Sequence, residues 1–111
     1  MQNGNGTVTS PDTIRPLVIR SLRRSNVRKK IADYLLEISP SGSYTSDIAY
    51  NVKTTPTNVI GAIRGMSSRY KNDESLLNLN IVEQVESSKN VKIYKLTEFG
   101  KEIMQLMKDR S

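Results

Sequence analysis

Residues 45–68, TSDIAYNVKTTPTNVIGAIRGMSS, decide the fold. Ile48, Ala49 and Val52 share one helical face, with Thr45 as a hydroxyl cap before them. Tyr44 ahead of that cap and Ala49 beyond it are placed like a hydrophobic staple. Thr55 followed by Pro56 announces a second helix, because a hydroxyl cap precedes a proline at the first helical position. Val59, Ile63, Met66 and Tyr70 recur at i, i+4, i+7 and i+11 and predict its buried face. The opposite face carries Thr57, Asn58, Gly61, Arg64, Gly65 and Ser68, which are small or hydrogen-bonding. Two helices joined by a tight turn, here over 51–54, can present the second helix to a DNA major groove.

Such a groove is about 12 Å wide and admits a helix whose outward side chains approach the base edges closely. Asparagine can bond bidentately to adenine and arginine to guanine. Glycine costs roughly 0.8–1 kcal/mol against alanine inside a helix, so Gly61 and Gly65 on one face ask for a reason. Close approach of the backbone to DNA is one; packing by another helix or a dimer mate is the other. The residues expected to meet bases are Thr55, Thr57, Asn58, Gly61, Arg64 and Ser68.

Upstream, Val27, Ile31, Tyr34, Leu35 and Ile38 form one apolar stripe, predicting a helix over 25–38. Ser25 caps it, and Ser39-Pro40-Ser41-Gly42 stops it. Residues 14–24, IRPLVIRSLRR, read two ways. Ile14, Val18 and Leu22 share a helical face that Pro16 could open, whereas apolar residues alternating with arginine suit an extended arm. A short helix is the favoured expectation. Residues 1–13 hold only Met1 and Val8 as apolar residues and read as a disordered tail, leaving 14–111 as the domain.

Downstream, Lys71-Asn72-Asp73-Glu74 is a polar break and 75–79 a short helical turn. The period then changes to two. Ile81, Glu83 and Val85 alternate, as do Val91, Ile93 and Lys95, with Tyr94 and Leu96 on the other face. Ser87-Ser88-Lys89-Asn90 supplies the turn of a hairpin over 81–96. Thr97 caps a last helix with Phe99, Ile103, Leu106 and Met107 on one face. The order is helix, short helix, helix, hairpin, helix.

The 111 residues suffice for one domain, and they carry 17 lysines and arginines against 11 acids, a net +6. Histidine, cysteine and tryptophan are absent, which excludes disulfides, thiolate zinc sites, cysteine nucleophiles and histidine-based catalysis. Neither a glycine-rich phosphate loop nor a metal-ligand cluster is present, so no cofactor or small-molecule substrate is expected, and no enzyme. The longest apolar run, Pro16 to Ile19, is too short to span a membrane, and nothing near Met1 resembles a signal peptide, so a cytoplasmic protein is expected. The whole charge excess lies in residues 1–30, where Arg15, Arg20, Arg23, Arg24, Arg28, Lys29 and Lys30 face Asp12 alone. The remaining residues are neutral overall. A cluster of this kind points to a polyanionic partner.

SNVRKKIADYLLEI, then SYTSDIAYNVKTTPTNVIGAIRGM, then NIVEQVESSKNVKIYKLTEFGKEIMQLM together resemble the winged helix-turn-helix transcriptional regulators, particularly small archaeal ones. YKLTEFGKEI is similar to the segment that follows the wing in those proteins. The resemblance implies an α+β, mostly helical fold with a three-helix core, a two-stranded wing hairpin and a C-terminal helix. It also implies a recognition helix from Thr55 to about Ser68, a wing at 87–92 and usually a homodimer. Lys53 departs from the pattern, standing where many of these proteins have a glycine in the turn.

The function expected is sequence-specific binding of double-stranded DNA by a transcriptional regulator. Arg23, Arg24, Arg28, Lys29, Lys53, Lys89 and Lys92 would contact phosphates. The alternative is a winged-helix protein-interaction module of a transcription or replication assembly, which suits the neutral charge of 31–111. RNA binding ranks below both, because most of the few aromatics lie at core-facing positions. Dimer contacts are expected from 14–22 and from the last helix at Met104 and Met107.

Overall fold

The computed structural model describes residues 11–65, 75–88 and 90–109. Five helices and one antiparallel hairpin follow in the order α1 (Pro11–Arg24), α2 (Asn26–Ile38), α3 (Thr45–Val52), α4 (Pro56–Arg64), β1 (Val82–Glu86), β2 (Lys92–Leu96) and α5 (Glu98–Asp109). The fold is α+β and mostly helical.

α1 is a full helix and part of the core. It begins at Pro11, so Pro11–Thr13, which the sequence assigns to the tail, form its first turn, where a missing proline N–H costs nothing. Pro16 lies inside it. Val18, Ser21 and Leu22 are buried where α1 rests on α2 and α5. The preceding residues lie outside those described.

Ser25 caps α2, its hydroxyl accepting from the Arg28 N–H at 3.2 Å. The apolar stripe of α2 meets its neighbours as expected, with Ile31 and Leu35 fully buried. α3 begins differently. Its cap is Tyr44, with no side-chain bond, and Thr45 is the first helical residue. Tyr44 is 41% exposed, so the staple drawn from its spacing to Ala49 contributes little.

Thr55 caps α4 through the Asn58 N–H at 3.1 Å, and Pro56 follows at the first helical position. α4 ends sooner than its periodicity predicts. Gly65 takes φ 92°, a region open to glycine, and breaks the helix. The final carbonyls are then met from elsewhere, since Leu76 N–H donates to Ala62 and Leu77 N–H to Ile63. The chain returning over 75–80 thus finishes the helix that the pattern through Met66 and Tyr70 would have extended. Those two residues lie outside the described ones.

The hairpin pairs Val82 with Leu96 and Glu86 with Lys92. Asn90, at φ 67°, supports its turn. The free edge of β2 is bridged to Ser43, which exchanges two backbone bonds with Tyr94 at 2.9 Å each. The hairpin is thereby sewn to the link between α2 and α3.

At the far end, Thr97 caps α5 by accepting from the Gly100 N–H at 2.8 Å, while its own hydroxyl donates to the Asn80 carbonyl at 2.6 Å. Gly100 packs directly on the Ile81 carbonyl, where a Cβ would have no room. Met104 is only 2% exposed, so it presents almost no surface to a second copy. It shares its face with Gly100, Ile103 and Met107, a spacing of i, i+3, i+4 and i+7 that turns inward.

Candidate nucleic-acid interface

α3 and α4 are joined by Lys53, Thr54 and Thr55. Lys53 closes α3 in the left-handed conformation, at φ 61° and ψ 52°, and its N–H reaches back to Ala49 and Tyr50. A lysine thus occupies the geometry that glycine takes most cheaply, at a cost of roughly 1–2 kcal/mol. Its side chain is exposed.

α4 buries Val59, Ala62 and Ile63 against α2 and α3. Its uncovered face carries Thr57, Ile60 and Arg64, three and four residues apart and therefore in one line. Ile60 is 39% exposed in the middle of that line. The expected base-contact residues divide accordingly. Thr57 and Arg64 are exposed on the common face, and Thr55 is exposed at its start. Asn58 is half-buried, and its side-chain amide donates to the Thr54 hydroxyl at 3.0 Å. Gly61 is buried and so does not lie on the uncovered face where a base could meet it. Gly65 is explained by its positive φ at the helix end. Ser68 falls outside the described residues.

The basic residues also separate. Arg28 is buried, at 5% exposure, and is not placed to reach a phosphate. Its position announces this, since Arg28, Ile31, Ala32 and Leu35 share a face at i, i+3, i+4 and i+7. Arg23 and Arg24 are exposed in the last turn of α1. Lys29 pairs with Asp33 at 3.0 Å, both groups about half exposed, a contact worth at most about 1 kcal/mol and readily exchanged. α1 rests on α2 and α5 and α4 on α2 and α3, so the two helices share α2 as a neighbour.

On the hairpin, Lys92 stands opposite Glu86 and Lys95 opposite Glu83, so acids offset the described lysines. Lys89, also expected to contact phosphate, lies outside the described residues. Sequence reasoning missed Ile60, although its offset from Thr57 and Arg64 was available. Tyr50, one of the few aromatics, stands 84% exposed on α3.

A groove of about 660 Å³ lies elsewhere, among α1, α2 and α5, with Ile19, Leu36, Met104 and Met107 in its lining. No group of three or more acidic, histidine or cysteine side chains among the described residues could hold a metal ion. No helix among them is long and apolar enough to cross a membrane.

A family model described as EarA-like matches residues 18–107. An uncharacterized protein of Methanocaldococcus jannaschii is 46% identical over 97 residues, covering 87% of this chain and 86% of that one. No solved structure matches.

Proposed function

This chain belongs to the EarA-like family, and we propose that it is a sequence-specific double-stranded DNA-binding regulator of transcription with a winged helix-turn-helix fold. The observation that carries this reading is the uncovered face of α4. Thr57, Ile60 and Arg64 form a line on a short, capped helix set by a tight turn from α3. In this reading α4 enters the major groove, Arg64 and Thr57 meet base edges, and Lys53 touches the adjoining phosphate. The hairpin is the wing, steadied by its bridge to Ser43. Arg20, Arg23 and Arg24 add sequence-independent attraction to the backbone. The protein acts in the cytoplasm, as a homodimer reading two half-sites.

The exposed ring of Tyr50 favours a second reading, in which the same fold docks onto another protein of a transcription or replication assembly. One experiment separates the two. The protein is titrated with salt on fragmented genomic duplex and on single-stranded RNA, followed by selection from a randomised duplex pool. A regulator enriches particular duplexes and retains a preference at rising salt. A docking module enriches none.

A further inference from the structure

We infer that Ile60 is a specificity-determining residue that reads the C5-methyl group of thymine in the duplex bound by α4. The inference rests on the DNA-binding reading above and names what one position of that surface recognises.

Ile60 lies one turn from both Thr57 and Arg64 on the uncovered side of α4, whereas Val59, Ala62 and Ile63 point into the core. Its side chain has no hydrogen-bonding atom and is 39% exposed between two polar neighbours. β-branching holds it to one main rotamer in a helix, so it is a firm apolar knob. The base edges in a major groove are nitrogen and oxygen donors and acceptors, with one apolar exception, the thymine methyl. A branched aliphatic chain held against such a floor gains by meeting that methyl and loses by covering a polar edge that it cannot satisfy. The neighbouring Asn58 is half-buried and already donates one amide N–H to the Thr54 hydroxyl, so it is less free than Ile60 to meet a base edge. The surface therefore pairs a guanine reader, Arg64, with a thymine reader, Ile60.

The test removes the methyl alone. Duplexes enriched from a randomised pool are resynthesised with uracil in place of thymine, one position at a time. Wild-type protein is expected to bind one or two of these variants about fourfold more weakly per methyl lost, the value for burying one such carbon. Ile60→Ala should bind thymine and uracil duplexes alike, near the level of wild type on uracil. Arg64→Ala should bind more weakly overall but keep the thymine preference. Alanine is the better helix former, and thermal unfolding confirms that the variant is folded. Ile60→Val, which trims one carbon, should lose part of the preference. Equal binding of thymine and uracil duplexes by wild type overturns the inference while leaving selective DNA binding intact. The same holds if Ile60→Ala retains the full preference. A pool from which no duplex is enriched overturns the DNA-binding reading itself.

Discussion

The side-chain amide of Asn58 donates to the hydroxyl of Thr54 at 3.0 Å, tying the first turn of α4 to the loop that delivers it. In the free protein Asn58 therefore holds the turn. Asn58→Ala and Thr54→Val should each lower unfolding stability by about 0.5–1.5 kcal/mol, and the double variant by less than the sum. Arg64→Ala should leave stability within about 0.5 kcal/mol and weaken binding to the preferred duplex by roughly 1–3 kcal/mol. Urea unfolding and fluorescence-anisotropy titration check both. A neutral Asn58→Ala in the unfolding experiment would show that the bond to Thr54 holds nothing.

Lys53 sits in a left-handed conformation that glycine would occupy more cheaply. Lys53→Gly should raise stability by up to about 1 kcal/mol, the relief of strain less the entropy glycine adds to the unfolded chain. The same change should reduce the slope of log affinity against log salt by about 0.9, the loss of one phosphate contact. Stability without that loss of slope would place the lysine away from DNA.

The arginines of α1 should anchor without reading. Replacing Arg20, Arg23 and Arg24 with glutamine should weaken selected and random duplexes alike and flatten the salt slope by up to about 2.7. Arg28 behaves differently because it is buried. Arg28→Ala should act mainly on stability, on the order of 1–3 kcal/mol, through lost packing of its stem and lost polar contacts.

Gly100→Ala forces a methyl group against the Ile81 carbonyl. Overpacking of this kind should lower stability by about 1–3 kcal/mol, visible as an earlier thermal transition. An unchanged transition would mean that α5 shifts freely away from the hairpin.

A homodimer should place two copies on one duplex with half-sites about 34 Å apart. Leu17, at 47% exposure, is the prominent apolar side chain of the N-terminal surface, and Leu17→Glu should weaken self-association while sparing the fold. Sedimentation that finds only the 12.5 kDa chain, with and without duplex, would remove the dimer.

α2, α4, α5 and the hairpin were legible because each carries a local signal, whereas 14–24 suits a helix or an arm and the cap of α3 falls one residue earlier than Thr45. Ser25, Thr55 and Thr97 cap where their spacing says they should, and the alternation about the turn at Asn90 identifies the strands. What failed was set by contacts distant in sequence. The end of α4 depends on donors from Leu76 and Leu77, which no pattern within 55–70 can reveal. The burial of Gly61 depends on the fold surrounding it, and helix periodicity treats it as one more small residue. Arg28 is the opposite case, because its spacing to Ile31, Ala32 and Leu35 places it on the buried face despite its charge. At the candidate interface Thr57 and Arg64 were legible from their offset, and Ile60 was overlooked because an isoleucine in a helix is normally assigned to the core.

The junction of the hairpin with α5 bears on how the protein would meet a partner. Thr97 bonds the Asn80 and Ile81 carbonyls, and Gly100 presses on Ile81, so the base of the hairpin and the first turn of α5 are one assembly. A hairpin hinged on a loose loop would have to surrender orientational freedom whenever its tip became fixed. Here that freedom is given up during folding, and little remains to be lost on contact. The direction in which the hairpin points is therefore set in advance, by the seating of α5 upon α2, before any partner arrives.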